Sequence, residues 1–194
     1  MRRVLQTLAV LAALGVTGAA TVVGLGLYNV SARAGHFPGV SWILHTTYNQ
    51  SVRLRAPAAE AVPEDIADPD RIELGALHFK GACAFCHSVP GQPRSATAMS
   101  MIPQPPHIRE ATEDWEPHHM FWIVQNGVKM SGMPHWPAVR REDEVWSVVA
   151  YLNAIPAMDA EEQNALTGDT SGAAGCTACH GEKGRSDNSF VPRL

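Results

Sequence analysis

The chain has 194 residues, of which 45% are hydrophobic and 18% are charged, and its formal net charge is -4. This length fits one ordinary domain or two very small ones, and the composition excludes a disordered or collagen-like protein. Lysine and arginine together number only 15, which is too few for the basic surface of a nucleic-acid-binding protein. The four cysteines are far fewer than a small secreted domain stapled by disulfides would need.

Residues 1–30 predict a transmembrane helix. Arg2 and Arg3 precede an apolar run from Val4 to Leu27, which as a helix would be about 36 Å long and could cross a bilayer with some tilt. A cleavable signal peptide is the alternative, although its apolar stretch is normally only about 7–15 residues long. The two arginines favour a cytoplasmic N-terminus. We therefore expect a single-pass protein of the bacterial inner membrane, with the remaining residues on the periplasmic side.

Residues 31–68 are predicted to be a juxtamembrane segment and a linker. A short amphipathic helix is expected from about Val40 to Tyr48, lying either at the membrane surface or against the domain that follows. The stretch from Ala56 to Asp68 is rich in alanine, proline and acidic residues, a composition that predicts a semi-rigid linker.

All four cysteines lie in two copies of the pattern Cys-x-x-Cys-His, which begin at Cys83 and Cys176. Two thiols at this spacing can form thioethers with the two vinyl groups of a haem, and the adjacent histidine can then ligate the iron. A thioredoxin-like redox pair or a zinc site would not explain the histidine that follows both pairs. The predicted haem-binding residues are Cys83, Cys86 and His87 for a first haem c, and Cys176, Cys179 and His180 for a second.

Residues 69–156, around the first motif, resemble a class I cytochrome c domain. A helix can start at Pro69 and continue to the haem motif. Gly75 and Phe79 match the positions at which the family's N-terminal helix is crossed by its C-terminal helix. The resemblance implies an all-α fold built around a covalent haem.

The partner helix is expected to start at Glu142, within three consecutive acidic residues, and to stop before Pro156. Tyr151 on this helix is the candidate aromatic that packs near Gly75 and Phe79. A middle helix is expected to open at residues 115–117 and to end at 126–127.

The loop that follows the middle helix resembles the methionine loop of the same family. This resemblance implies that Met133, which directly precedes a proline, is the second axial ligand of the iron. Met130 is the rival ligand, and His135 is a more distant one. The family also places a proline-rich turn at residues 103–107, where a backbone carbonyl accepts a hydrogen bond from the axial histidine.

Two filled axial positions leave no open site on the iron, so the resemblance implies an electron carrier rather than an enzyme. The expected partners are the membrane and redox proteins, namely a dehydrogenase, a terminal oxidase or both, with no nucleic acid and no small-molecule substrate. One alternative is a haem-bearing subunit of a larger oxidoreductase complex. Another is a dihaem peroxidase-type enzyme, which would require an open iron site.

The second motif has less sequence around it than the first. Residues 157–175 predict a short helix followed by a linker, and residues 176–194 resemble the start of another class I cytochrome c domain. No methionine or histidine follows His180. We expect that further residues belong after Leu194, and the alternatives are a ligand from elsewhere in the chain or a partner, or a vestigial motif.

Overall fold

The computed structural model describes residues 1–167, and within that range it is helical and contains no strand. The predicted all-α class is therefore confirmed for the part described. The chain divides into two compact units, the first formed by Met1–His36 and the second beginning at Phe37. The helices are α1 (Arg2–Gly24), α2 (Pro38–Arg55), α3 (Pro69–Ala82), α4 (Ala84–His87), α5 (Ala96–Met99), α6 (Ile108–Ala111), α7 (Pro117–Asn126), α8 (Glu142–Ala154) and α9 (Ala160–Thr167), with 3-10 turns at Ala59–Ala61 and Ile155–Ala157.

The first unit consists of α1 and the short segment after it. α1 has 23 residues with a mean hydropathy of 1.9 over its most apolar window, and none of its residues is buried. This length and composition suffice to cross a membrane and fit the predicted anchor, and a signal sequence shares the same features. After the helix, the Tyr28 hydroxyl lies 2.7 Å from Nδ1 of His36.

The second unit is organised by the crossing of α3 and α8, the most extensive helix contact that the structure describes. α3 begins at Pro69, and the Asp68 carboxylate caps it by accepting hydrogen bonds from two backbone N–H groups in its first turn. A Cβ added to Gly75 would lie only 1.8 Å from the Ser147 carbonyl oxygen, so only glycine permits this approach. The Phe79 and Tyr151 rings pack with centroids 5.3 Å apart. The predicted crossing at these residues is confirmed.

The remaining core forms where α7 packs on α8. Phe121 and Trp146 stack with ring centroids 4.2 Å apart and planes inclined by 21°. α8 is buried along most of its length, which explains why its sequence is apolar on more than one face. The predicted middle and C-terminal helices are both confirmed, because α7 ends at Asn126 and α8 ends at Ala154, before the expected proline.

The helix predicted at residues 40–48 is longer than expected and extends over Pro38–Arg55. It continues because no proline or glycine interrupts the sequence until residue 57. Its C-terminal half packs on the rest of the second unit: Val52 is fully buried, and the Tyr48 ring meets the Trp115 ring edge-on at 5.7 Å. For that half, the expectation of packing against the following domain is confirmed.

Residues 56–68 do not behave as a separate linker, although their composition predicted one. Val62 and Ile66 are partly buried against the core, and Asp65 accepts a 2.7 Å charged hydrogen bond from Arg71 on α3. Two apolar side chains and one ion pair are sufficient to fix a short segment, and alanine and proline content does not reveal them.

Candidate functional site

The first Cys-x-x-Cys-His motif lies where α3 ends and α4 begins. The Cys83 carbonyl accepts hydrogen bonds from the backbone N–H groups of Cys86 (3.1 Å) and His87 (3.0 Å). This single turn places the two thiols three positions apart, on one side of the backbone. Within the described residues both thiols are free and half-buried. Burial raises the pKa of the Cys83 thiol to about 11, so this thiol stays protonated at neutral pH.

The imidazole of His87 is oriented by the proline-rich turn. Its Nδ1 lies 2.9 Å from the carbonyl oxygen of Pro106. Because a carbonyl oxygen can only accept a hydrogen bond, Nδ1 carries the proton, and the lone pair of the ring is on Nε2. Burial also lowers the pKa of His87, which favours the neutral ring that can ligate a metal. The family resemblance implied such a contact within the turn at residues 103–107, and in the structure the accepting carbonyl is that of Pro106.

The chain between the motif and the proline-rich turn is held by contacts that the sequence did not predict. Ser88 adopts a positive φ of 60°, and its hydroxyl donates toward the Gln92 carbonyl at 2.9 Å. Nε2 of His107 lies 3.0 Å from the same carbonyl. The Arg94 guanidinium donates to the Pro105 carbonyl, next to the one that accepts from His87. The arginine directly after Pro93 is the one sequence signal that could have suggested this support.

The predicted methionine loop is closed by hydrogen bonds of its own backbone. The N–H of Val128 donates to the Met133 carbonyl at 3.1 Å, and the N–H of Met133 donates to the Ser131 hydroxyl at 3.2 Å. Gly127 opens the loop with a φ of 64°. A Cβ at this position would lie 2.5 Å from the carbonyl carbon of Pro134, so the loop requires glycine both for its conformation and for its closeness to the chain opposite.

The two methionines of the loop differ in their surroundings. Met133 is half-buried, and both its backbone N–H and its carbonyl are hydrogen-bonded. Met130 is 79% exposed and has a positive φ of 64°, which is unusual for a residue with a side chain. His135 is exposed. These observations favour Met133 as the axial ligand, and the assignment stays a prediction.

A comparison with protein families identifies the domain that these elements form. Residues 70–152 match the family model described as cytochrome c oxidase, cbb3-type, subunit III. The matched segment runs from the start of α3 into α8 and includes the first motif, the proline-rich turn and the methionine loop. The chain therefore contains a c-type cytochrome domain. No curated protein and no solved structure matches it.

The predicted resemblance to a c-type cytochrome is therefore confirmed, and with it haem c as the cofactor and electron transport as the general role of the domain. The residues present fit this cofactor. The cytochrome supplies two free thiols at the required spacing and an imidazole whose Nε2 is left for the iron by the bond from Nδ1 to Pro106. Hydrogen bonding at the far ring nitrogen is the usual way of fixing the tautomer of a ligating histidine.

The second motif of the cytochrome, Cys176, Cys179 and His180, lies outside the described residues, as does the linker predicted before it. The short helix expected before that linker is α9, which lies at Ala160–Thr167. The family match covers one haem domain. A second haem stays a prediction from the sequence.

Proposed function

We propose that this cytochrome is a membrane-anchored, periplasmic electron carrier that works by outer-sphere transfer from a dehydrogenase or another donor to a respiratory acceptor. The observation that carries the proposal is the family match, because one haem-domain segment encloses Cys83, Cys86, His87 and Met133. Haem c supplies one-electron redox chemistry when it is bound. His87 and Met133 would hold the haem iron between them and would leave it no position for a substrate, which favours a carrier over a peroxidase-type enzyme.

Each proposed ligand is supported by residues of the chain itself. His87 can present Nε2 because Pro106 accepts the proton-bearing Nδ1–H. Met133 is fixed because its carbonyl accepts from Val128 and its N–H donates to the neighbouring hydroxyl of Ser131. A thioether is a soft, neutral ligand, so it favours the reduced metal and raises the reduction potential relative to two histidines.

The proposed location and layout follow from the N-terminal sequence. α1 is long and apolar enough to anchor the chain, and Arg2 and Arg3 favour a cytoplasmic N-terminus. We assign residues 1–30 to the anchor, 69–156 to the cytochrome c domain, and 176–194 to the start of a second domain that would bind another haem. An anchored carrier exchanges electrons with partners at the membrane surface. The chain has only three lysines, which argues against docking through a ring of lysines.

A second candidate function is favoured by the printed description of the family. The matching model is that of an oxidase subunit, so the cytochrome can instead be a haem-bearing subunit of a larger membrane complex. The two candidates differ in which proteins co-purify with the cytochrome after extraction of the membrane with a mild detergent. A carrier should be purified without other membrane proteins. A subunit should be purified together with further membrane proteins in a fixed ratio.

The axial ligand is tested by comparing Met133→Ala with Met130→Ala in the full-length holoprotein. Met133→Ala should abolish the weak sulfur-to-iron charge-transfer band of the oxidised protein, lower the reduction potential and allow carbon monoxide to bind the reduced iron. Met130→Ala should retain the band and exclude carbon monoxide. If the unmodified protein itself binds carbon monoxide readily at the first haem, the proposed carrier function fails.

The number of haems is tested by the intact mass of the purified protein. Two covalent haems are expected in the unmodified chain, and one in the Cys176→Ser/Cys179→Ser double variant. A Cys83→Ser/Cys86→Ser variant is the matched counterpart and should lose the haem of the described domain. If the unmodified protein carries a single haem and the Cys176→Ser/Cys179→Ser variant retains it, the second motif binds no haem.

A further inference from the structure

A cluster of metal-ligating side chains lies at the start of α7, where the haem chemistry makes no use of it. Glu116, His118 and His119 each contribute one ligand atom, and these three atoms lie within 4.8 Å of one another. The Nδ1 of His118 is 3.5 Å from a carboxylate oxygen of Glu116. The geometry points to a binding site for a first-row transition-metal dication of the Zn²⁺ or Cu²⁺ type, held by one carboxylate and two imidazoles.

The chemistry of the three side chains suits such an ion. Imidazole nitrogen and carboxylate oxygen are common ligands of Zn²⁺ and Cu²⁺, with bonds of about 2.0–2.2 Å to Zn²⁺. Ligand atoms around one ion would therefore lie roughly 3–4 Å apart. A small rotation of the three side chains toward one another would bring their ligand atoms to these distances. The rings of His118 and His119 are already in contact, with centroids 3.9 Å apart. Three protein ligands leave a further position for water or another small ligand.

The state of His119 provides a second, independent observation. Its Nδ1 is buried and has no hydrogen-bond partner among the described residues. A buried polar atom without a partner costs free energy, and a bound cation would satisfy the lone pair of a neutral ring. Burial, and then the neighbouring His118, lowers the pKa of His119, so the ring is mostly neutral and offers a lone pair at neutral pH.

The surroundings hold the cluster in place and keep it accessible. The side chain of His118 is only 13% exposed, whereas that of Glu116 is 72% exposed, so the site is open to solvent on the carboxylate side. The ring of Trp115 packs on His119 with centroids 5.6 Å apart, and the guanidinium of Arg53 lies over the same tryptophan. Arg53 opposes the binding of a cation, and the charge of Glu116 offsets it.

The test uses the full-length holoprotein, purified in detergent without a polyhistidine tag and stripped of metal with a chelator. Titration with Zn²⁺ by calorimetry should show one saturable site. Binding of one equivalent of Cu²⁺ should give an electron paramagnetic resonance signal with hyperfine splitting from two imidazole nitrogens. His118→Gln and Glu116→Gln should each weaken binding at least ~10-fold, and His118→Gln/His119→Gln should abolish it. His45→Gln and Glu113→Gln, which remove the same groups elsewhere, should leave it unchanged.

Two results would overturn the inference. One is the absence of a saturable site for either ion in a protein with a normal haem spectrum. The other is binding that is equal in the unmodified protein and in the double histidine variant, which would place the metal elsewhere in the chain. Glu116→Gln guards against misfolding as an explanation, because this side chain is mostly exposed and the substitution keeps its size.

Discussion

The crossing of α3 and α8 and the methionine loop of residues 127–136 are both necessary to the cytochrome domain, but they are held together by different means. At the crossing, two helices are in backbone contact through Gly75 and bury a continuous row of large side chains around Phe79 and Tyr151. The free energy gained by burying apolar side chains does not depend on the direction of individual contacts, and it adds up to a large total. The crossing therefore behaves as the stable frame of the domain.

The loop has few buried apolar side chains and depends on individual hydrogen bonds. Besides the bond between Val128 and Met133, the N–H of Trp136 donates to the Gln125 carbonyl at 3.0 Å, and the indole N–H of Trp136 donates to a Glu144 carboxylate oxygen at 3.1 Å. Each such bond contributes only about 1 kcal/mol net. The comparison shows that the proposed Met133 ligand lies on the less stable of the two regions, so the loop should open while the helices remain folded.

The largest effect is expected when the helix crossing itself is disturbed. Gly75→Ala puts a Cβ at 1.8 Å from the Ser147 carbonyl oxygen, which forces the helices apart and should lower the free energy of unfolding by about 3 kcal/mol or more. Urea denaturation of the holoprotein, followed by far-ultraviolet circular dichroism, measures this change.

The control lies on the same helix. A Cβ at Gly81 meets no heavy atom within 4 Å, so Gly81→Ala should leave stability unchanged or raise it by up to ~1 kcal/mol. Similar losses from both substitutions would mean that helix conformation, and not the close approach at Gly75, sets the stability of the crossing.

A smaller loss of stability, with a larger change in the haem spectrum, is expected from Gly127→Ala. The residue combines a φ of 64° with a ψ of -171°, a conformation that costs a residue with a Cβ about 1–3 kcal/mol, and the new Cβ would also meet the backbone of Pro134. The sulfur-to-iron band should weaken while helical circular dichroism is retained.

Gly91→Ala is the control that separates the effect of backbone strain from the effect of a steric clash. Gly91 has a φ of 82°, but a Cβ there meets no heavy atom within 4 Å. We expect it to lose stability from the backbone conformation alone and to keep the sulfur-to-iron band. A band that survives Gly127→Ala unchanged would show that the loop does not depend on the close approach at Pro134.

Local pattern predicts where α3 and α8 begin, because proline and acidic residues mark their first turns. The place where the two helices meet, at Gly75, Phe79 and Tyr151, is predicted through the resemblance to a family. The loop is predicted through the same resemblance. The contact from Ser88 to Gln92 and the support from Arg94 to Pro105 were missed because they join irregular backbone, for which residue type carries little signal.

The same distinction explains the errors in the region before α3. The apolar residues visible in the sequence predict a helix over residues 40–48, yet the helix continues to Arg55, since no proline or glycine interrupts it and Val52 packs on the rest of the second unit. Tertiary contacts of this kind are not encoded in composition. Glu116, His118 and His119 lie close together in the sequence, but their spacing alone does not show that their ligand atoms converge.

A modest effect is expected from removing the indole hydrogen bond that ties the end of the loop to α8. Trp136→Phe keeps an aromatic ring beside His78 but loses the bond to Glu144, and should cost about 1 kcal/mol. A double-mutant cycle with Glu144→Ala measures the coupling between the two residues. A coupling energy near zero would mean that the bond does not help to hold the loop.

The smallest effect is expected from the contact between the two regions, where the His78 ring on α3 meets the Trp136 ring edge-on at 5.5 Å. Burial is the main cause that lowers the pKa of His78, with Arg141 acting in the same direction and Glu144 and Asp143 opposing it. The folded protein therefore binds fewer protons at His78 than the unfolded chain, whose histidine has a pKa of about 6.5. The resulting contribution to the free energy of unfolding is fully present above that pH and is lost as the pH falls below it.

The unfolding midpoint in urea, measured between about pH 5 and pH 8, isolates this contribution when the unmodified protein is compared with His78→Phe. Because His119 also has a lowered pKa, both proteins should lose stability in acid, and the unmodified protein should lose more. His45→Gln serves as the control, since that histidine is exposed and lies on neither the loop nor the two crossing helices. If the pH profiles of the unfolding midpoint are parallel for the unmodified protein and His78→Phe, protonation of His78 does not contribute to the stability of this contact. The stability of the loop is then not coupled to that of the helices through His78.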